Sequence, residues 1–94
     1  MIDQSQHEII INTLSPYMPN QIGIFGSFAR NENKPDSDLD ILVDFKNTVN
    51  LLDLIGLEQT LTELLKIKVD LITYKSINPR VKPFIEKDLK IIFK

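Results

Sequence analysis

Two aspartates one residue apart, Asp38 and Asp40 in the run SDLDILVD, are the first residues of this 94-residue chain whose types and spacing suggest chemistry. Side chains on a strand repeat with a period of two, so both carboxylates leave the same face and repel unless something compensates them. A third acid, Asp70, stands in the β-favouring run KVDLITY (68–74). If the two runs pair, three carboxylates can converge. Upstream, Gly26 and Ser27 open the stretch GSFAR directly after QIGIF. A glycine there lets a ligand approach the backbone closely. The N–H groups that open a helical turn, with the serine hydroxyl, make a place for phosphate. Clustered carboxylates without cysteine are hard oxygen ligands. They suit Mg²⁺, which takes few protein oxygens and completes its shell with water and substrate phosphates.

Taken singly, each feature has a plain structural reading. An isolated DxD is as well explained by a solvent-facing edge strand, and an acid between Val69 and Leu71 by a surface position. The weight lies in the combination of Gly26 and Ser27 with Asp38, Asp40 and Asp70. His7, the single histidine, falls at the start of the first expected helix, away from the motif, and reads as surface. Tyr17 and Tyr74 read as packing or rim residues, with Tyr74 able to stack near a nucleotide.

The elements that must position these residues emerge from periodicity. Ile10, Leu14 and Tyr17 at i, i+4 and i+7 predict a helix over 4–17. QIGIF (21–25) predicts a strand, and 27–30 a short helix before the polar turn NENKPDS (31–37). A second strand over 38–44 concentrates acids on one face. Asn50 is an N-cap with Asp53 in the first turn, so a helix starts there. Leu54, Leu57, Leu61, Leu64 and Leu65 mark its core face. A third strand covers 68–74, and the proline-containing tail holds a short helix over 83–88. The closing apolar run LKIIF reads either as an interface or as a core strand. The order predicts an α/β fold, a small mixed β-sheet flanked by helices.

Composition narrows the class. With 43% hydrophobic and 26% charged residues, residues 1–94 read as one globular domain. No cysteine is present, which excludes disulfides, thiolate zinc sites and a thiol nucleophile. The first ten residues lack the pattern of a signal peptide and no apolar run approaches the ~20 residues of a membrane span, so a cytoplasmic location without membrane contact is expected. The net charge of −2 hides an asymmetry. Residues 31–44 carry five acids against Lys34, whereas 75–94 carry six Lys or Arg against Glu86 and Asp88. No basic, aromatic-interleaved surface points to nucleic acid.

GSFAR followed by SDLDILV resembles the signature of the polymerase-beta-type nucleotidyltransferase superfamily, and the chain is most similar to its minimal nucleotidyltransferase (MNT) group. The resemblance implies that Gly26 and Ser27 bind the phosphates of ATP, that Asp38 and Asp40 hold metal, and that Asp70 completes the site. Two Mg²⁺ ions would be shared by Asp38 and Asp40, with Asp70 on the second and Ser27 holding the departing pyrophosphate. Arg30 is a phosphate ligand or the partner of an acid. Asn31 stands where the family often has Gly, and Asn tolerates left-handed backbone better than most residues. The resemblance further implies an antitoxin that transfers AMP from ATP to a tyrosine hydroxyl of a HEPN-domain RNase toxin. A binding antitoxin that neutralises the toxin by occlusion is the alternative. Transfer to a small molecule or nucleic acid ranks below both, because such enzymes usually carry a further substrate domain.

Overall fold

The computed structural model describes residues 2–94. Its elements are α1 (Gln4–Leu14), β1 (Pro19–Phe25), β2 (Leu39–Phe45), α2 (Leu51–Leu65), β3 (Val69–Thr73), α3 (Lys82–Asp88) and β4 (Lys90–Phe93). The strands form one mixed sheet in the order β3-β2-β1-β4, with β1 antiparallel to β2 and β4 and β2 parallel to β3. The expected α/β class and mixed sheet are therefore present. LKIIF resolves into the edge strand β4.

Local chemistry explains where the elements begin and end. α1 opens on a capping box: the Gln6 N–H donates to Asp3 Oδ1 at 2.8 Å, and the Asp3 N–H donates to Gln6 Oε1 at 3.0 Å. It stops three residues short of the expected Tyr17, because Ser15–Tyr17 around Pro16 tighten into a 3₁₀ turn. Asn50 caps α2, its Oδ1 accepting from the Asp53 N–H at 2.8 Å. Lys66, in left-handed conformation at φ 59°, ends that helix.

The sheet has two faces. Alternate residues Leu39, Ile41, Val43 and Phe45 of β2 join Ile22, Ile24, Val69 and Leu71 in a core shared with Ile10 and Leu14 of α1 and Leu57, Leu61 and Leu65 of α2. The expected core face of α2 is narrower than the leucine count suggests. Leu64 is 53% exposed and Leu54 only half-buried, because the inward stripe steps by four residues and Leu64 is rotated about 100° off it. The opposite face carries Asp40, Leu42 and Asp44, paired in register with Phe25, Gly23 and Gln21 of β1. α3 packs over part of this second face. Leu89, just after α3, lies so close over Gly23 that a Cβ there would overlap it. Leu42 beside Gly23 is fully buried.

Candidate active site

The uncovered part of the second face is where the predicted residues meet. In the parallel ladder Asp40 of β2 stands directly opposite Asp70 of β3. Both belong to the face away from the core, because their neighbours Leu39, Ile41, Val69 and Leu71 turn into it. Asp38, two residues before Asp40, lies just ahead of the strand and is exposed.

The register that puts Asp70 there is enforced from α2. The Leu71 N–H donates to Glu58 Oε2 at 2.8 Å, and the Val69 N–H donates to Thr62 Oγ1 at 3.0 Å. Thr62 Oγ1 in turn donates to the Glu58 carbonyl at 2.9 Å. Two polar side chains one helical turn apart thus clamp the N–H groups on either side of Asp70. Sequence reasoning missed both. The available signal was their i, i+4 spacing at the border of the buried leucine stripe.

Gly26 comes directly after β1 at φ +76°, and a Cβ on it would overlap Asp40 Oδ2. Only glycine leaves room for that carboxylate and adopts this backbone without strain. From Gly26 the chain makes one helical turn rather than the short helix expected over 27–30. Arg30 N–H donates to the Gly26 carbonyl at 3.1 Å, Glu32 N–H to that of Ser27 at 2.9 Å and Asn31 N–H to that of Phe28 at 3.3 Å. With Asn31 at φ 63°, this is a Schellman ending. Asn31 therefore fills the left-handed position. Phe28 and Ala29 anchor the turn in the core. The N–H groups of Ser27, Phe28 and Ala29 have no backbone acceptor among the described residues, which is the arrangement that receives anions.

Arg30 leaves the turn toward α3. Its Nη1 lies 2.7 Å from Asp88 Oδ2 and its Nε 3.3 Å from Glu32 Oε1. The Asp88 hydrogen bond holds its pKa above the ordinary arginine value. Asp88 was not singled out in the sequence; an acid inside the basic tail was the one hint.

Electrostatics single out Asp40. Burial first, then repulsion from Asp70 and Asp38, push its pKa from 3.8 to about 6, against a smaller lowering by Arg30. The only ion pair of Asp38 among the described residues is with Lys68 Nζ at 3.8 Å, between two exposed groups, which is worth little. Repulsion at the cluster is therefore left largely uncompensated by the protein. Among the described residues no three acidic or imidazole groups close into a finished metal cage. The all-oxygen donor set nevertheless fits Mg²⁺, whose shell is completed by water and phosphate. Tyr74 is not brought to the site. It lies four residues beyond Asp70, at the other end of β3, where its hydroxyl accepts from Gln21 Nε2 at 2.7 Å. His7 is half-buried beside a groove with Ile2 and Phe28.

A chain with this sheet, this glycine-led turn and this carboxylate pair belongs to the nucleotidyltransferase domain family, whose model matches residues 5–92. Among its relatives, a Methanocaldococcus jannaschii protein named "Putative protein adenylyltransferase" is 57% identical over 74 residues, spanning 78% of this chain and 76% of its own. Protein adenylyltransferase MntA of Thermococcus cleftensis is 51% identical over 57 residues, 61% of this chain and 58% of that one. Of solved structures, a toxin-antitoxin with AMP-PNP superposes with a TM-score of 0.85 at 25% identity, covering 93% of this chain and 72% of that one. A minimal nucleotidyltransferase superposes with a TM-score of 0.80 at 30% identity, covering 93% and 89%. No helix among the described residues is long and apolar enough to cross a membrane.

Proposed function

We propose that this chain is a cytoplasmic, Mg²⁺-dependent protein adenylyltransferase that moves AMP from ATP to a tyrosine hydroxyl of a HEPN-domain toxin and so acts as its antitoxin. The observation that carries the reading is the register of Asp40 against Asp70 beside Gly26. The relatives named protein adenylyltransferase and the likeness to a toxin-antitoxin structure holding an ATP analogue support the choice of donor and acceptor.

In this reading the free N–H groups of the Gly26 turn and the Ser27 hydroxyl hold the β- and γ-phosphates, with Arg30 at their margin. Asp38, Asp40 and Asp70 are the ligands of two Mg²⁺ ions, which when bound balance the carboxylate and phosphate charge and ease deprotonation of the acceptor. Asp70, the more exposed of the facing pair, takes the proton of the tyrosine hydroxyl. The tyrosine oxygen forms a bond to the α-phosphorus. The bond from that phosphorus to the oxygen bridging to the β-phosphate breaks, and pyrophosphate leaves with the electron pair.

The test is to incubate the chain with ATP, Mg²⁺ and the toxin and to follow the toxin's mass. Addition of AMP by the wild type, and none by Asp38→Asn with Asp40→Asn, is expected. Equal addition by that double variant would sink the reading. Full protection of cells by it would instead show that the toxin is neutralised by occlusion.

A further inference from the structure

Besides the β4 edge and isolated Met18 and Leu64, two exposed apolar patches among the described residues are unaccounted for by the site. One lies at the start of α2, where Leu51, Leu52 and Ile55 face solvent. The other lies at the start of α3, where Phe84 is 72% exposed and Val81, the residue that precedes the helix, 46%. α2 packs on the core side of the sheet, behind the carboxylates. A protein that delivers a hydroxyl to Asp40 and Asp70 must approach from the other side. α3 lies on that side.

Asp88 fixes where Phe84 stands relative to the site. It is four residues further along α3, on the same side of the helix and about 6 Å up its axis. Asp88 is bonded to Arg30, whose N–H closes the turn that begins at Gly26. Phe84 therefore sits one turn from the residue that ties α3 to the phosphate turn. Ile85, by contrast, is buried. Around Phe84 positive charge prevails: Arg80, Lys82 and Lys87 form no ion pair among the described residues, whereas of the two nearby acids Asp88 is held by Arg30 and Glu86 alone is left against them. A large exposed aromatic rimmed by free cations is the composition of an interaction surface, apolar at its centre and charged at its margin.

We propose that the side of α3 bearing Phe84, with Val81 just before it, is the surface on which the acceptor protein docks, receiving an apolar side chain from a segment flanked by acidic residues. The inference rests on the proposed function for the identity of that protein, and the complementary charge is dictated by the free cations. Phe84 supplies contact area. Arg80, Lys82 and Lys87 set orientation and encounter rate.

The experiment measures calorimetric affinity for the HEPN toxin, and the KM for toxin and for ATP, in wild type, Phe84→Ala, Phe84→Leu and Lys82→Glu with Lys87→Glu. Because these side chains are exposed, melting temperatures should match the wild type. Phe84→Ala is expected to weaken toxin binding at least about tenfold, Phe84→Leu less, and the charge reversal to weaken it while flattening its salt dependence, with the KM for ATP within about twofold of wild type. Unchanged toxin affinity in all variants overturns the proposal. A raised KM for ATP with intact toxin affinity also overturns it, assigning Phe84 to the nucleotide instead. A wild type that binds toxin but adds no AMP defeats the proposed function alone, because the binding arm still reads the docking surface.

Discussion

Asp40→Asn should abolish AMP transfer and yet stabilise the metal-free protein. Asp40 titrates near 6 in the folded chain rather than at 3.8, chiefly because it is buried and secondarily because it faces Asp70 and Asp38. That displacement corresponds to at most about 3 kcal/mol. The carboxylate keeps partial contact with solvent, so screening reduces this to about 1–2 kcal/mol. The folded state holds a proton that the unfolded state has released between about pH 4 and pH 6. The stabilisation is thus complete below about pH 4 and is lost as pH rises through about 6. Asn carries no charge and does not incur this loss, and none of the described hydrogen bonds uses the Asp40 side chain. Thermal melts in EDTA near neutral pH should place the variant about 5–10 °C above wild type, with the gap closing toward pH 4. Mg²⁺ with ATP should raise the wild-type melting temperature and leave the variant's unmoved. A variant that melts below wild type at neutral pH in EDTA, or a gap that ignores pH, would refute the reasoning.

Gly26→Ala adds a methyl where Asp40 Oδ2 already lies and requires a left-handed alanine, so it should lose AMP transfer and destabilise the fold by about 1–3 kcal/mol in urea melts. Glu58→Ala removes the acceptor of the Leu71 N–H; about 1–2 kcal/mol of stability should go, and kcat should fall as Asp70 loses its fixed position, whereas Glu58→Gln, which keeps an acceptor oxygen, should recover most of both. Asn31→Gly should leave stability and activity near wild type, while Asn31→Val should cost about 1–2 kcal/mol, because φ 63° is hostile to a β-branched residue.

What could be read from the sequence was set by short-range rules. The N-cap at Asn50, the alternation along β2 and the proline at the start of α3 each depend on a few neighbouring residues, and each stands close to where the pattern put it. The candidate site was legible for the same reason: Gly26, Asp38 and Asp40 lie within fifteen residues, and Asp70 falls in a strand with an obvious period. Leu64 was misread because leucine content says nothing of which helical faces meet a neighbour. The grip of Glu58 and Thr62 on β3 and the pairing of Asp88 with Arg30 were invisible, since both join residues whose proximity exists only after the sheet is assembled. The same holds for the overlap that forbids a side chain at Gly26: the sequence offers a reason for glycine there, but the carboxylate occupying the space belongs to another strand.

The clamp on β3 also decides how the sheet can grow. With the outward N–H groups of Val69 and Leu71 already donated to α2, that margin offers a foreign strand no regular row of donors. Among the described residues the β4 margin is the open template for extension, and there Lys90 and Lys94 bracket Ile91 and Phe93 with positive charge, which discourages two copies from zipping together edge to edge. The side chains that hold Asp70 opposite Asp40 therefore also leave the sheet, among the described residues, one growing edge, guarded by lysine against its own kind.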